Sequence, residues 1–299
     1  MEHTDGPVAA PTGICVVDKP AGWTSHDVVG RARRLLGTKK VGHAGTLDPM
    51  ATGVLVLGVG RATRLLTFIT GVDKTYEAQI TLGVETDSLD ADGEVTVRHD
   101  MAPPAAEQVA AAARTLTGPL EQVPPMVSAV KVDGRRLHQL AREGKEVERA
   151  ARPVVVSQFD VRPTDDPLVW DATVTCSSGT YVRVLAADLG RALGGGAHLS
   201  ALRRTRVGPF LLEEATPLEE LVVLPASAGV RHLAQVVVDD RVAARVAVGQ
   251  VLGRDELGVP AEGDGPWAVL DASGQVLAVY AGHRAGTVKP SFVLTAQSP

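Results

Sequence analysis

The chain has 299 residues, 44% of them hydrophobic and 22% charged, and a formal net charge of −5. A chain of this length buries a large core in one or two domains, and the composition excludes a disordered or fibrous protein. No apolar run approaches the roughly 18 residues of a membrane span, the first residues lack the basic-then-apolar pattern of a leader, and no CxxC or HxxxH pair offers a zinc site, so a cytoplasmic protein without membrane or metal is expected.

Residues 1–12 read as a disordered start. Residues 14–17 form a short buried strand closed by Asp18, Lys19 and Pro20. Thr24 and Asp27 have capping-box spacing, Val28, Val29, Ala32, Leu35 and Leu36 recur at helical period, and Gly37 supplies the stop, which together predict a helix. The segment GHAGTLDPMATG, residues 42–53, reads as a loop because its glycines and proline break both regular periods. Residues 54–57 return to strand and 61–70 to helix, and Tyr76, Ala78, Ile80 and Leu82 alternate with Glu77, Gln79 and Thr81 as a half-buried strand. An alanine-rich helix over 105–117 ends at Gly118, and a strand with a turn at Asp133 and Gly134 opens a basic stretch that reaches Arg152. Trp170, Ala172, Val174 and Cys176 share one face of a further strand, which stops at Ser177, Ser178 and Gly179 before a helix holding Leu185, Leu189 and Leu193. Elements that alternate irregularly with hairpin turns predict an α+β fold on a mixed or antiparallel sheet, with the main domain over 13–225. Residues 225–230 read as a linker, and a hairpin of 267–270 with 276–280, plus a last strand at 292–294, predicts a small β-rich domain over 231–296. Cys15 and Cys176, both in apolar strand-like contexts, are expected as buried free thiols.

The charge is unevenly spread. Basic residues gather at Arg31, Arg33, Arg34, Lys39 and Lys40, again at Lys131, Arg135, Arg136, Arg142 and Lys145, and again at Arg203, Arg204 and Arg206. Each cluster alone suits a solvated face; three beside the motifs below favour a polyanion as partner. The acidic tail, with Asp239, Asp240, Asp255, Glu256, Glu262, Asp264 and Asp271, offsets them in the sum.

The segment 42–53 is the most informative. It places His43 and Asp48 among Gly42, Gly45 and Gly53, between two apolar elements, and Pro49 keeps Asp48 out of the helical region. From composition alone a carboxylate presented in a cleft and an aspartate that merely opens a turn are equally good readings. VGHAGTLDPMATGVL, however, resembles the signature of the TruB branch of pseudouridine synthases. Five further segments support the resemblance: GICVVDKPAGWTSHDVV, DKTYEAQITLG at 73–83, PPMVSAVKVDGRRLHQLAREG at 124–144, CSSGTYVRVLAADLG at 176–190, and AHLSALRRTRVGPF. They span about residues 13–225.

The resemblance implies a pseudouridine synthase fold with a PUA-like tail. It also implies isomerisation of uridine to pseudouridine at position 55 in the T arm of tRNA, by a stand-alone monomer without guide RNA or cofactor. By the same resemblance Asp48 is the catalytic carboxylate, Arg183 its partner and Tyr76 the aromatic that stacks on the flipped uracil. Tyr181 and Leu202 line the uridine pocket and His43 contacts the extruded RNA. Lys19, Lys131, Arg135, Arg136, Arg203 and Arg204 are the candidate RNA-binding cations, with Lys19 also matching a framework position and the insertion 124–152 clasping the RNA. Two other classes stay open: an RNA-binding or RNA-folding protein whose catalysis is incidental, and a glycosidase, for which no second carboxylate stands out in a comparable loop.

Overall fold

A computed structural model describes residues 11–294 apart from 129–130, 133, 138–139, 141–142 and 146. The expected disordered start lies, but for Pro11 and Thr12, outside the described residues, as do Asp133 and Arg142.

The chain opens with β1 (Gly13–Lys19) and α1 (Ser25–Leu35). The capping box predicted for α1 is present: the Thr24 hydroxyl accepts from the Asp27 amide at 3.1 Å, and the Asp27 carboxylate accepts from the Thr24 amide at 2.9 Å. Next come β2 (Val41–His43), β3 (Thr52–Val59), a 3-10 turn over Gly60–Leu65, α2 (Leu66–Thr70) and β4 (Lys74–Leu82). A small hairpin of β5 (Val84–Thr86) and β6 (Val95–Arg98) precedes α3 (Ala106–Thr115) and β7 (Gly118–Gln122). The basic insertion carries its own hairpin, β8 (Lys131–Val132) with β9 (Arg135–Arg136). Then follow β10 (Arg152–Pro163), β11 (Val169–Cys176), α4 (Val182–Ala192), β12 (Ala197–Val207), β13 (Phe210–Leu211) and β14 (Thr216–Pro217).

These strands build one mixed ten-stranded sheet in the order β14-β1-β3-β12-β4-β11-β10-β7, with β2 on β3 and β13 on β12. Apart from the parallel edge pair of β14 and β1, its two halves are antiparallel, and they join where β3 and β12 run parallel for a short stretch, Arg203 beside Thr52 and Arg204 beside Gly53. That seam needs a glycine: a Cβ on Gly53, whose φ is +98°, would lie 2.2 Å from the Arg204 carbonyl oxygen. The strict alternation along β4 turns Tyr76, Ala78, Ile80 and Leu82 onto α3 and α4, where they form the main core with Phe159, Trp170, Val174, Leu185 and Leu189.

A second, five-stranded sheet closes the chain. It is built from β15 (Ala234–Val237), α5 (Asp240–Ala247), β16 (Leu252–Gly253), α6 (Arg254–Leu257), β17 (Trp267–Leu270), β18 (Val276–Gly282) and β19 (Thr287–Val293), with strand order β15-β17-β18-β19-β16. The β-rich module is therefore present, yet residues 225–230 are no linker. Ala226–Val230 is a 3-10 turn packed on β1, with Gly229 so close that a Cβ there would meet the Ile14 side chain at 3.0 Å. Ile14, Val54, Leu65, Phe210 and Val230 share one buried cluster with Ala268, Leu270, Val276 and Phe292, so the two sheets are fused through a common core. Apolar side chains on both sides of the segment make that contact, which a local reading of Pro, Ser and Gly does not register. Cys15 and Cys176 are buried free thiols, and burial pushes both up to about 11. Among the described residues no helix is long and apolar enough to cross a membrane.

Candidate active site

The segment 44–51, between β2 and β3, hangs at the parallel seam and is held from four sides. The Ser25 hydroxyl, on the first turn of α1, accepts from the Leu47 amide at 2.9 Å and donates to the Leu47 carbonyl at 3.2 Å. The Gly22 amide donates to the Pro49 carbonyl at 2.8 Å. Lys19, fully buried, donates to the carbonyls of Pro20, Trp23 and Pro49 at 2.9, 2.6 and 3.2 Å. From β12, Arg204 donates to the carbonyls of Gly45 and Thr46. Capping, burial and backbone satisfaction thus fix this irregular stretch as firmly as a regular element.

Asp48 projects from it into a cleft of about 270 Å³. Lys74 and Tyr76 of β4, residues 177–181 ahead of α4, Arg183 of α4, and Leu202 and Arg204 of β12 line the rest. Arg183 is 3% exposed and meets Asp48 side-on, Nε 3.0 Å from Oδ2 and Nη2 3.2 Å from Oδ1. Its remaining donors reach the Val127 carbonyl at 2.9 Å, at the root of the basic insertion, and the Ser88 carbonyl at 2.8 Å. A second carboxylate, Asp90, lies 3.1 Å from Nη1 and is itself buried. Asp90 follows Leu89, whose φ of +65° makes it, among the described residues, the one non-glycine in the left-handed region. That conformation costs about 1–2 kcal/mol and delivers the carboxylate to the guanidinium.

Burial holds the Asp48 carboxyl above its ordinary value; the Arg183 charge pulls it down and the Asp90 charge pushes it up. Tyr76 is at once a core residue, 8% exposed, and a wall of the cleft. Burial raises its hydroxyl, against the neighbouring Arg204 charge. Lys74 donates to the carbonyls of Thr70 and Val72 at 2.7 and 2.6 Å and is brought down to about 8 by burial, then by the neighbouring Arg204 charge.

Five of the residues singled out from sequence therefore meet in one cleft: Asp48, Tyr76, Tyr181, Arg183 and Leu202. His43 does not line it. It belongs to β2, in an edge-on contact with His26 at 5.6 Å between ring centres, and burial followed by the His26 charge lowers its pKa. Two of the candidate RNA-binding cations need correction. Lys19 and Arg204 are 0% and 1% exposed and spend their donors on backbone carbonyls, so neither offers a charge to a phosphate on the surface. Arg203 points to the opposite face of β12 and pairs with Asp18 at 2.7 Å. Arg135 is exposed on the insertion hairpin and pairs with Glu143.

Residues 33–182 match the model described as TruB family pseudouridylate synthase, N-terminal domain, and residues 183–236 match the tRNA pseudouridylate synthase B C-terminal domain. The chain is 50% identical to a protein of Arthrobacter sp. named tRNA pseudouridine synthase B, over 94% of this chain and 96% of that one. It is likewise 50% identical to a protein of the same name from Thermobifida fusca, over 94% and 98% of the two chains. The chain belongs to the TruB family of pseudouridylate synthases.

Solved structures agree on the fold. A chain of a Cbf5–Nop10–Gar1 complex superposes with a TM-score of 0.75 at 24% identity, covering 95% of this chain and 85% of that one. A chain of an H/ACA ribonucleoprotein bound to a substrate RNA containing 2′-deoxyuridine gives 0.71 at 23% identity, covering 94% and 84%. Within this TruB-family chain, Asp90, Ser25 and the loop-anchoring side of Arg204 are what sequence reasoning missed. Asp90 sits in an acidic, glycine-containing turn, DSLDADG, that reads as solvated surface; its one local signal is a carboxylate flanked by hydroxyl and turn-forming residues.

Proposed function

We propose that the chain isomerises the uridine at position 55 in the T arm of tRNA to pseudouridine, acting as a stand-alone cytoplasmic monomer without guide RNA. The observation that carries this reading is the Asp48–Arg183 pair opposite Tyr76 in one cleft, in a chain that belongs to the TruB family.

The reaction breaks the bond between the ribose anomeric carbon and N1, turns the uracil, joins carbon 5 to the ribose, and removes the carbon 5 proton while N1 gains one. A base in a helical stem cannot reach a carboxylate in a cleft, so the nucleotide must be extruded, and an aromatic face recovers roughly 1–3 kcal/mol of stacking. Tyr76 is that face in this reading, with Tyr181 and Leu202 closing the pocket around the uracil and His43 meeting the displaced RNA. Asp48 acts ionised, by attack on the anomeric carbon, by attack on carbon 6, or by removing a ribose proton to form a glycal. Each route needs the carboxylate charged and aimed, and Arg183 supplies both conditions. The hairpin of 131–136 supplies positive charge for the backbone of the T arm, and Arg203, on the opposite face of β12 from the cleft, is a further candidate contact.

The test is incubation of an unmodified tRNA transcript with the enzyme, then nuclease digestion and mass spectrometry after carbodiimide treatment. Isomerisation leaves mass unchanged, so the stable adduct reports it; a transcript without an adduct at position 55 refutes the reading.

A further inference from the structure

Arg204 is a buried cation without a counter-ion. It is 1% exposed, and among the described residues no carboxylate lies within ion-pair distance of it. Its three hydrogen bonds all end on backbone carbonyls: Nε on Val54 at 2.7 Å, Nη1 on Thr46 at 3.3 Å and Nη2 on Gly45 at 3.2 Å. Burying an unpaired guanidinium is costly, and an uncharged side chain of similar length fills such a volume at lower cost. The charge therefore has work beyond filling the core.

Its placement says what that work is. Two of the three acceptors lie in the segment that carries Asp48, and the third lies on β3 just after that segment. The Arg204 backbone pairs with Gly53 at the parallel seam, so one residue grips both ends of the irregular stretch. On its other side Arg204 is the direct cross-strand partner of Tyr76 in the antiparallel pair of β12 and β4, with both side chains turned into the cleft. The neighbouring Arg204 charge opposes the effect of burial on the Tyr76 hydroxyl.

Resting on the isomerase reading above, we infer that Arg204 is a positioning residue: it ties the Asp48 segment and Tyr76 to one another, so that carboxylate and aromatic ring meet the extruded uracil in one geometry. It acts through those two residues. This accounts for a cation in the cleft wall that has neither an acidic partner nor an open path to a phosphate, and it separates Arg204 from its neighbour Arg203, which faces the other side of the sheet and has Asp18.

The experiment is a double-mutant cycle on the full chain. Arg204→Lys and Tyr76→Phe are made singly and together, and single-turnover conversion of a tRNA transcript, tRNA dissociation constants at two salt concentrations, and melting temperatures are measured. A misplacement of order 1 Å costs about a hundredfold, so Arg204→Lys is expected to slow conversion by tenfold or more, with affinity and its salt dependence unchanged. Because Arg204 and Tyr76 are direct cross-strand partners lining one cleft, the two substitutions are expected to couple, and the same lysine is expected to cost distinctly less once the hydroxyl facing the Arg204 charge is gone. Equal fold-losses in both backgrounds, or a loss that tracks affinity and salt as a phosphate contact would, overturn the inference. Arg204→Gln, which keeps donors for the carbonyls without the charge, serves if the lysine variant does not fold, and failure of both to fold assigns Arg204 to stability alone and overturns it too. Wild-type turnover is the control: its absence removes the isomerase reading, whereas wild-type turnover with additive losses removes only the role of Arg204.

Discussion

Arg183 and Asp48 meet side-on, with Nε 3.0 Å from Oδ2 and Nη2 3.2 Å from Oδ1, across 135 residues of chain. The hydrogen bond from Nη2 and the close approach of Nε orient the carboxylate as well as holding its charge, which a lysine at the same place cannot do. The guanidinium is held in turn by Asp90 and by the carbonyls of Ser88 and Val127, so its plane is set by the core and by the insertion root together.

Asp48→Asn is expected to abolish isomerisation while tRNA affinity stays within a few-fold of wild type. The amide is isosteric, and the lost charge acts in the transition state rather than on phosphates. Single-turnover rates beside filter-binding constants check it. Conversion surviving above about a hundredth of the wild-type rate would remove Asp48 from its role.

Asp90→Asn should slow conversion by about a hundredfold through loss of the guanidinium's second anchor, with tRNA affinity little changed. Asp90 is buried behind Arg183 and has no path to the RNA backbone. A variant at wild-type rate and unchanged melting temperature would show that Ser88, Val127 and Asp48 hold Arg183 unaided.

The pH dependence has a definite sign. Burial, then the competing charges of Arg183 and Asp90, leaves Asp48 above its ordinary 3.8, and the reaction needs it ionised. Single-turnover rates should therefore rise with pH along an acid limb whose midpoint lies above 3.8. For stability the sign is opposite: the folded state holds the Asp48 proton more tightly than the unfolded one, so this group's contribution is full below 3.8 and is lost as pH rises through its folded value. A midpoint at or below 3.8 in single-turnover kinetics would contradict the burial argument.

Much of this was legible before any coordinates. The alternation of Tyr76 to Leu82 and the capping box at Thr24 are local patterns, and both elements stand where those patterns put them. The cleft was legible for a different reason: the six-segment resemblance named Asp48, Tyr76, Tyr181, Arg183 and Leu202, which come from four separate elements that no periodicity joins. What stayed hidden is long-range. Arg204 reads as a surface cation because it sits in a basic cluster, and Lys19, though it matches a framework position, also reads as an RNA contact; only the carbonyls of a folded loop make the burial of both tolerable. Asp90 reads as turn chemistry because its partner lies 93 residues away by number, and residues 225–230 read as a linker because their contacts are with β1.

The insertion hairpin makes a separate prediction. Lys131, Arg135 and Arg136 replaced together by Ala should weaken tRNA binding and flatten its salt dependence, each lost phosphate contact lowering the slope by about 0.7–0.9. Arg135 already has Glu143 as a partner in the free protein, so its RNA contact is an exchange of anions and its share of the slope is smaller. The rate for saturated enzyme should change much less than the affinity, since in this reading the hairpin contacts phosphates and takes no part in the chemistry. An unchanged slope places the RNA on another face.

Tyr76 has two separable jobs, and its surroundings say how to part them. Its ring is packed in the main core yet forms a wall of the cleft, and Arg204 is its direct cross-strand partner. Tyr76→Phe keeps the ring and should keep tight tRNA binding, whereas Tyr76→Leu loses the flat face and with it roughly 1–3 kcal/mol of stacking on the extruded base. If the hydroxyl takes the proton from carbon 5, Phe should rejoin the base and then stall, and an adduct should accumulate on the enzyme. If the ring only stacks, Phe should turn over nearly normally while Leu fails. A residue that serves the core alone gives a third pattern, both variants losing activity in proportion to melting temperature. Single-turnover rates, adduct yield and melting temperatures for the two variants, measured side by side, distinguish the three. Wild-type rates in the Leu variant at unchanged melting temperature would contradict both functional roles and leave the tyrosine as packing.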